Sequence, residues 1–245
     1  QGLPKRFDST LRDCSVRQHS REACEVPVSF FVLAEDSTMI FYTWDYLDYV
    51  RARKTGFSEF ETVGRKKFGG EFPKCPSCDA KVGALEWQPP FIVETTTDKF
   101  GDLCTDGQDL LLSDAFHNAW MASGLSGLTF ADDRVDLVSS QPNVPNYTVV
   151  HIPNTITRLD ESASGLVPSN VVGCDLCRVA AREKLDRIRV DMESWTGVDA
   201  FKPSGLYGVV LVTSQFVKMV NDAGLTNFYF VHQDDYREPK VFKNH

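Results

Sequence analysis

Residues 111–130 read LLSDAFHNAWMASGLSGLTF, and residues 211–230 read LVTSQFVKMVNDAGLTNFYF. At an offset of 100, Leu111 meets Leu211, Phe116 meets Phe216, Gly124 meets Gly224, Leu125 meets Leu225 and Phe130 meets Phe230. Ser and Thr exchange at 113/213 and 126/226. Each block has the same physical grammar. Apolar runs at 110–112 and 209–212 suit short buried strands. A hydroxyl follows, Ser113 in the first block and Thr213 or Ser214 in the second, placed to cap the first N–H groups of a helix. Phe116, Ala119 and Trp120 then share one helical face, as do Phe216, Met219, Val220 and Ala223. Gly124 and Gly224 suit the left-handed residue that ends a helix, and Leu125 and Leu225 stand where an apolar contact back onto the last turn is common. These aromatics are expected in a core. The expected block is strand, helix, glycine, strand, written twice.

Ahead of each block lies a Cys-x-x-Cys pair, Cys75–Cys78 and Cys174–Cys177, 99 residues apart. The expected fold is therefore α+β: two similar sheet-plus-helix units from an internal duplication, bridged by a four-cysteine zinc site. The first unit takes 39–140 and the second 141–245. Residues 1–38 form an N-terminal extension, either poorly ordered or supplying an added strand at 29–34. Met39, the first methionine, opens a strand at 39–42 and is a candidate natural start. A helical piece is expected at 44–53. The Pro89–Pro90 stop precedes a strand at 91–95, and 135–138 and 147–152 are strands flanking a Pro/Asn turn. Ile188, Val190 and Met192 alternate with charged residues, a period of two that predicts a half-buried strand. The acidic doublets Asp132–Asp133 and Asp234–Asp235 read as solvated turns beyond strands.

A two-residue gap lets both sulfurs of a pair reach one ion, and tetrahedral zinc takes four such ligands at about 2.3 Å. Neither pair completes a site alone, and no histidine spacing supplies the missing ligands. One shared structural site of Cys75, Cys78, Cys174 and Cys177, holding one Zn2+, is the economical solution. Three alternatives stand beside it: redox dithiols, disulfides in an exported protein, and cysteines that are merely buried. Cys14, Cys24 and Cys104 lie outside the pairs. Four thiolates leave no open position for a catalytic water, so the zinc would be structural.

The 245 residues are 42 % hydrophobic and 11 % aromatic, enough for a sizeable core. No apolar run approaches the ~18 residues of a bilayer span, and no secretion signal is recognisable, so a cytoplasmic location is expected. The net charge is −8, from 34 acidic and 26 basic residues. That balance argues against general nucleic-acid binding, which wants a positive field. Two local basic groups remain, Arg51, Arg53 and Lys54, then Arg65, Lys66 and Lys67. An acidic stretch carries Asp98, Asp102, Asp106 and Asp109, the candidate surface for a basic protein partner. No G-x-S-x-G, P-loop, dinucleotide glycine pattern or HExxH is present, and no nucleophile or general base is assigned.

Together these stretches resemble the double-CXXCG family of bacterial proteins, described from myxobacteria as toxin-immunity proteins. The residues that carry the likeness are CPSC at 75–78, LEWQPPFIVET at 85–95, GDLCTDGQDLLLSDAF at 101–116 and CDLCR at 174–178. ESWTGVDAFKPSGLYGVVLVTSQF at 193–216 and GLTNFYF at 224–230 are its most specific part. The likeness spans about 39–239. It implies a non-enzymatic protein that binds and neutralises a cognate toxin; hydropathy and net charge, as above, argue against a membrane and against general nucleic-acid binding. A zinc-dependent nucleic-acid or protein-binding adaptor, using the two basic groups, is the alternative. Asp79 and Arg178 stand where the family name leads one to expect glycine after each pair. Asp tolerates the left-handed conformation moderately well and Arg less so, so the turn after Cys177 is expected to fit the pattern less well.

Overall fold

A strand that is apolar at every position has to be covered on both faces. In a computed structural model of the chain, β5 (Leu110–Ser113) and β11 (Leu211–Thr213) are buried throughout. The structure describes residues 39–45, 57, 60–63, 72–85, 87–95, 98–105, 109–139, 141, 144–168, 174–178 and 182–237. The extension 1–38, most of the expected helix 44–53, both basic groups, Cys14, Cys24 and Asp106 lie outside these residues. The protein mixes β-sheets with few helices, an α+β fold.

Two sets of four strands have the same order. One is β4 (Leu103–Thr105), β5, β7 (Tyr147–His151) and β6 (Thr129–Val138). The other is β10 (Ala200–Phe201), β11, β1 (Phe41–Trp44) and β12 (Phe230–His232). All neighbours within both sets are antiparallel, and their registers correspond. Leu111 faces Cys104 and Val149, as Leu211 faces Phe201 and Thr43. Phe130 faces Val150, as Phe230 faces Trp44. The strand between the block's two strands comes from the other side of the 140/141 boundary in each case: β7 sits in the sheet of the first block, and β1 in that of the second. The first set continues through β3 (Phe91–Glu94), parallel to β6, and β2 (Glu61–Thr62) into a six-stranded sheet. A small ribbon pairs β8 (Val167–Pro168) with β9 (Arg182–Lys184).

The helices start and stop where their end residues dictate. Ser113 accepts the Phe116 N–H at the start of α1 (Asp114–Ser123), and Gly124 ends it at φ 71°. After the short α2 (Glu161–Ser164), Thr213, and not Ser214, caps α3 (Ser214–Asp222) through the Phe216 N–H. Gly224 follows at φ 64°, and the Leu225 N–H turns back to the Val220 carbonyl, the capping pattern that satisfies a helix's last carbonyls.

Alternation across the pleat divides the core into three. Leu110, Leu112, Val210 and Val212 point into a central cluster with Phe116, Trp120, Phe216 and Val220, which both helices share. Leu111 points the opposite way, to Tyr147, Val149 and Cys104. Leu211 does likewise, to Phe41 and Phe201.

Three local expectations change. Trp44 belongs to a strand rather than a helix. β6 runs unbroken from Thr129 to Val138 with a register shift between Phe130 and Arg134. Asp132–Asp133 therefore sit inside a bulged strand, where the irregularity turns both carboxylates outward. Among the described residues the alternating stretch at 188–192 makes only one bridge, Val190 to Leu159. Ile188 is buried but Met192 is 47 % exposed. Its backbone bonds go to 158–160 on one side, Asp160 N–H to the Arg189 carbonyl and Asp191 N–H to that of Arg158, too few for a ladder.

Candidate metal centre

Each cysteine pair is carried on a tight turn whose backbone bonds are local. In the first, the Asp79 N–H donates to the Cys75 carbonyl and the Cys75 N–H to the Ala80 carbonyl, while Lys74 and Lys81 close a two-residue bridge. The Ser77 N–H points at the Cys75 sulfur at 3.4 Å. In the second, the Arg178 N–H donates to the Cys174 carbonyl, the counterpart of the Asp79 bond. Asp79 and Arg178 both take the left-handed conformation, at φ 57° and 52°. The turn after Cys177 thus has the same geometry as the turn after Cys78, contrary to the poorer fit expected for arginine. Arg178 carries the steric penalty of about 1–2 kcal/mol that a side chain meets there, and its guanidinium pairs with Glu161 at the start of α2.

The turns are held against the body of the protein by residues that the sequence did not single out. Ser204 Oγ donates to the Leu176 carbonyl, and Tyr207 Oη donates to the Cys177 carbonyl at 2.8 Å. Gly205 between them, at φ 80°, brings its backbone so close that a Cβ would lie 3.1 Å from Arg178. The signal was present as SGLY within the most specific block of the resemblance, but its partner atoms are main-chain carbonyls with no sequence mark. On the first turn, Asn154 Nδ2 donates to the Val82 carbonyl.

The four sulfurs converge. Cys75 and Cys174 stand 3.8 Å apart, Cys78 and Cys177 3.6 Å, and all four sulfurs lie within 4.8 Å of one another. Four sulfurs at about 2.3 Å from a tetrahedral ion lie about 3.8 Å from each other, so the donor set and its spacing fit such an ion. The four cysteines could hold a metal ion. None of the five described cysteines is in a disulfide, and no helix among the described residues begins at either pair, as a redox dithiol would want. Cys75 and Cys177 are buried, Cys174 is half-buried and Cys78 exposed.

The turns also distribute charge among the thiols. The N–H groups of Cys177, then Leu176, draw the Cys174 thiol down to about 6. The Ala80 N–H pulls Cys78 the same way. Desolvation and the hydrogen bonds to Cys174, Cys177 and Cys75 outweigh it and raise that thiol to about 12.

Cys104 is elsewhere, buried against Tyr147 Oη and the Gly101 carbonyl, and burial pushes its thiol up. Of the candidate acidic surface, Asp98 is exposed, while Asp102 and Asp109 are half-buried. The Asp102 carboxylate is engaged inside the fold, accepting from Ser113, and from the N–H and hydroxyl of Thr226. His117 lies edge-on to Phe130 and His232 against Tyr42, both away from the sulfurs.

The fold and site define an α+β protein with a four-cysteine cluster. No model of a known protein family matches the chain, and no curated protein matches it. No helix among the described residues is long and apolar enough to cross a membrane.

Proposed function

We propose that this chain is a non-enzymatic, cytoplasmic immunity protein that binds and neutralises a cognate bacterial toxin, and that Cys75, Cys78, Cys174 and Cys177 hold one structural Zn2+. We also infer that its two strand–helix–strand blocks are copies of one ancestral unit. The observation that carries the reading is that the segments bearing the family resemblance are those that build the centre. CPSC and CDLCR supply the sulfurs, and KPSGLYG supplies Ser204 and Tyr207, which bond the second turn. When bound, zinc would cross-link turns far apart in sequence and offset the entropy of closing that loop. With four thiolates around it the ion would have no vacant position, which suits scaffolding rather than hydrolysis. A net charge of −8 favours attraction to a basic partner.

The direct test is co-expression with each candidate toxin found encoded near the gene, in a host that the candidate kills. Restored growth, together with a purified one-to-one complex, is expected. Continued killing with full expression of both proteins would overturn the immunity reading. Capture of nucleic acid with a steep dependence on salt would favour the adaptor instead.

A further inference from the structure

The two halves touch each other like with like. Cys75 and Cys78 meet Cys174 and Cys177, their counterparts. Phe116 packs on Phe216, with ring centroids 6.0 Å apart. Asp102 binds the N–H and hydroxyl of Thr226, and Asp199 binds those of Ser126, the matching residue. Each half also places its first strand in the other's sheet. β1 lies between β11 and β12, and β7 between β5 and β6. Reciprocal contacts of this kind are the signature of an isologous dimer interface, and exchange of an identical element is a low-cost route to one.

We propose that segments 39–138 and 147–237 are mutual folding partners, each recognising the other as a second copy of itself through strand donation, so that the peptide joining them is dispensable for assembly. Neither segment is complete alone. Without β7, strands β5 and β6 lose the strand that pairs with both, and their inward backbone groups have no partner. Without β1, β11 and β12 are in the same position. The central aromatic cluster is likewise made from both segments: Trp44, Phe116 and Trp120 from the first, Phe216 and Phe228 from the second. This inference stands apart from the identity of any toxin or metal.

The experiment cuts the folded full chain. A protease site is inserted after Gln141, which is exposed in the connection between β6 and β7; the purified protein, kept reduced and stripped with a chelator so that no ion bridges Cys75 and Cys78 to Cys174 and Cys177, is cleaved and followed by native mass spectrometry and size exclusion. The fragments are expected to stay together one to one, with a dissociation constant below about 1 µM, and to recombine after separation in denaturant. Fragments that part under native conditions, folded or not, overturn the proposal. Should the insertion itself prevent folding, hydrogen exchange on the uncut chain decides. The amides of Trp44 in β1 and Val150 in β7 are expected to open in one cooperative event, and loss of protection at one while the other stays protected overturns it.

Discussion

Asp102 and Asp199 hold corresponding positions in the two four-stranded sets and make nearly the same bonds. Each carboxylate accepts from the hydroxyl that caps its own helix, Ser113 at 2.7 Å and Thr213 at 2.8 Å. Each main-chain carbonyl also accepts that capping residue's N–H. The second carboxylate oxygen then reaches into the other half, to Thr226 or to Ser126. One side chain therefore fixes a helix start and a junction between halves together.

Replacing Asp102 by Ala should destabilise the protein by about 1–2 kcal/mol, the loss expected for hydrogen bonds to a charged acceptor that is only partly shielded. Asp199→Ala should cost a similar amount. Asp102→Ala and Thr226→Val should couple, so that the double variant loses less than the sum of the singles. Urea denaturation measures all of these, and additive losses would show that the bridge contributes nothing.

The aromatic cluster sets a larger scale. Phe216 is fully buried and touches Trp44, Phe116, Trp120 and Phe230. Phe216→Ala should cost about 3–5 kcal/mol, since neighbours on two sheets cannot close the cavity. Met121→Ser, at a side chain 66 % exposed on the same helix pair, should change the urea midpoint little.

Backbone strain at the second turn gives an opposite sign. Arg178→Gly should raise stability by about 0.5–1 kcal/mol, because glycine takes a positive φ without steric cost and the exposed pair with Glu161 contributes little. Arg178→Val should lower it. Thermal melts of the metal-loaded protein would show the two shifts, and a loss in the glycine variant would mean that the ion pair outweighs the strain.

Charge at the centre can be read by alkylation of reduced, metal-stripped protein. Cys174 should react ahead of Cys78, its rate rising as pH passes about 6, while Cys78 responds only near 12. The sign of the stability effect follows. A depressed Cys174 contributes stability that is fully present above the ordinary value of 9.0 and is lost as pH falls through about 6. A raised Cys78 contributes stability that is present below 9.0 and is lost as pH rises through about 12. Equal reactivity of the two at pH 7, followed by peptide mass spectrometry, would contradict this arrangement.

The matched blocks were legible because their signals are local: a capping hydroxyl, one apolar helical face, a glycine in the left-handed region. The four cysteines were legible because ligand chemistry restricts spacing. Strand exchange was not. Phe41 and Tyr147 occupy equivalent places opposite Thr213 and Ser113, yet nothing in either strand's sequence says which sheet it joins, and their spacing departs from the offset of the blocks. Asp102 read as one charge in an acidic run because its partner Thr226 lies 124 residues away. At 188–192 alternation reported burial correctly for Ile188 but could not report that the backbone bonds go to irregular segments at 158–160 and at Gln233.

The most direct measurement is elemental analysis with X-ray absorption on protein purified reduced, for wild type and for Cys75→Ser, Cys174→Ser and Cys104→Ser. The expected result is one zinc per wild-type chain in a shell of four sulfurs at about 2.3 Å, retained in the Cys104 variant and lost or reduced to three sulfurs in the other two. Metal-free wild type, or a shell unaltered by either Cys75→Ser or Cys174→Ser, would contradict a shared four-cysteine centre.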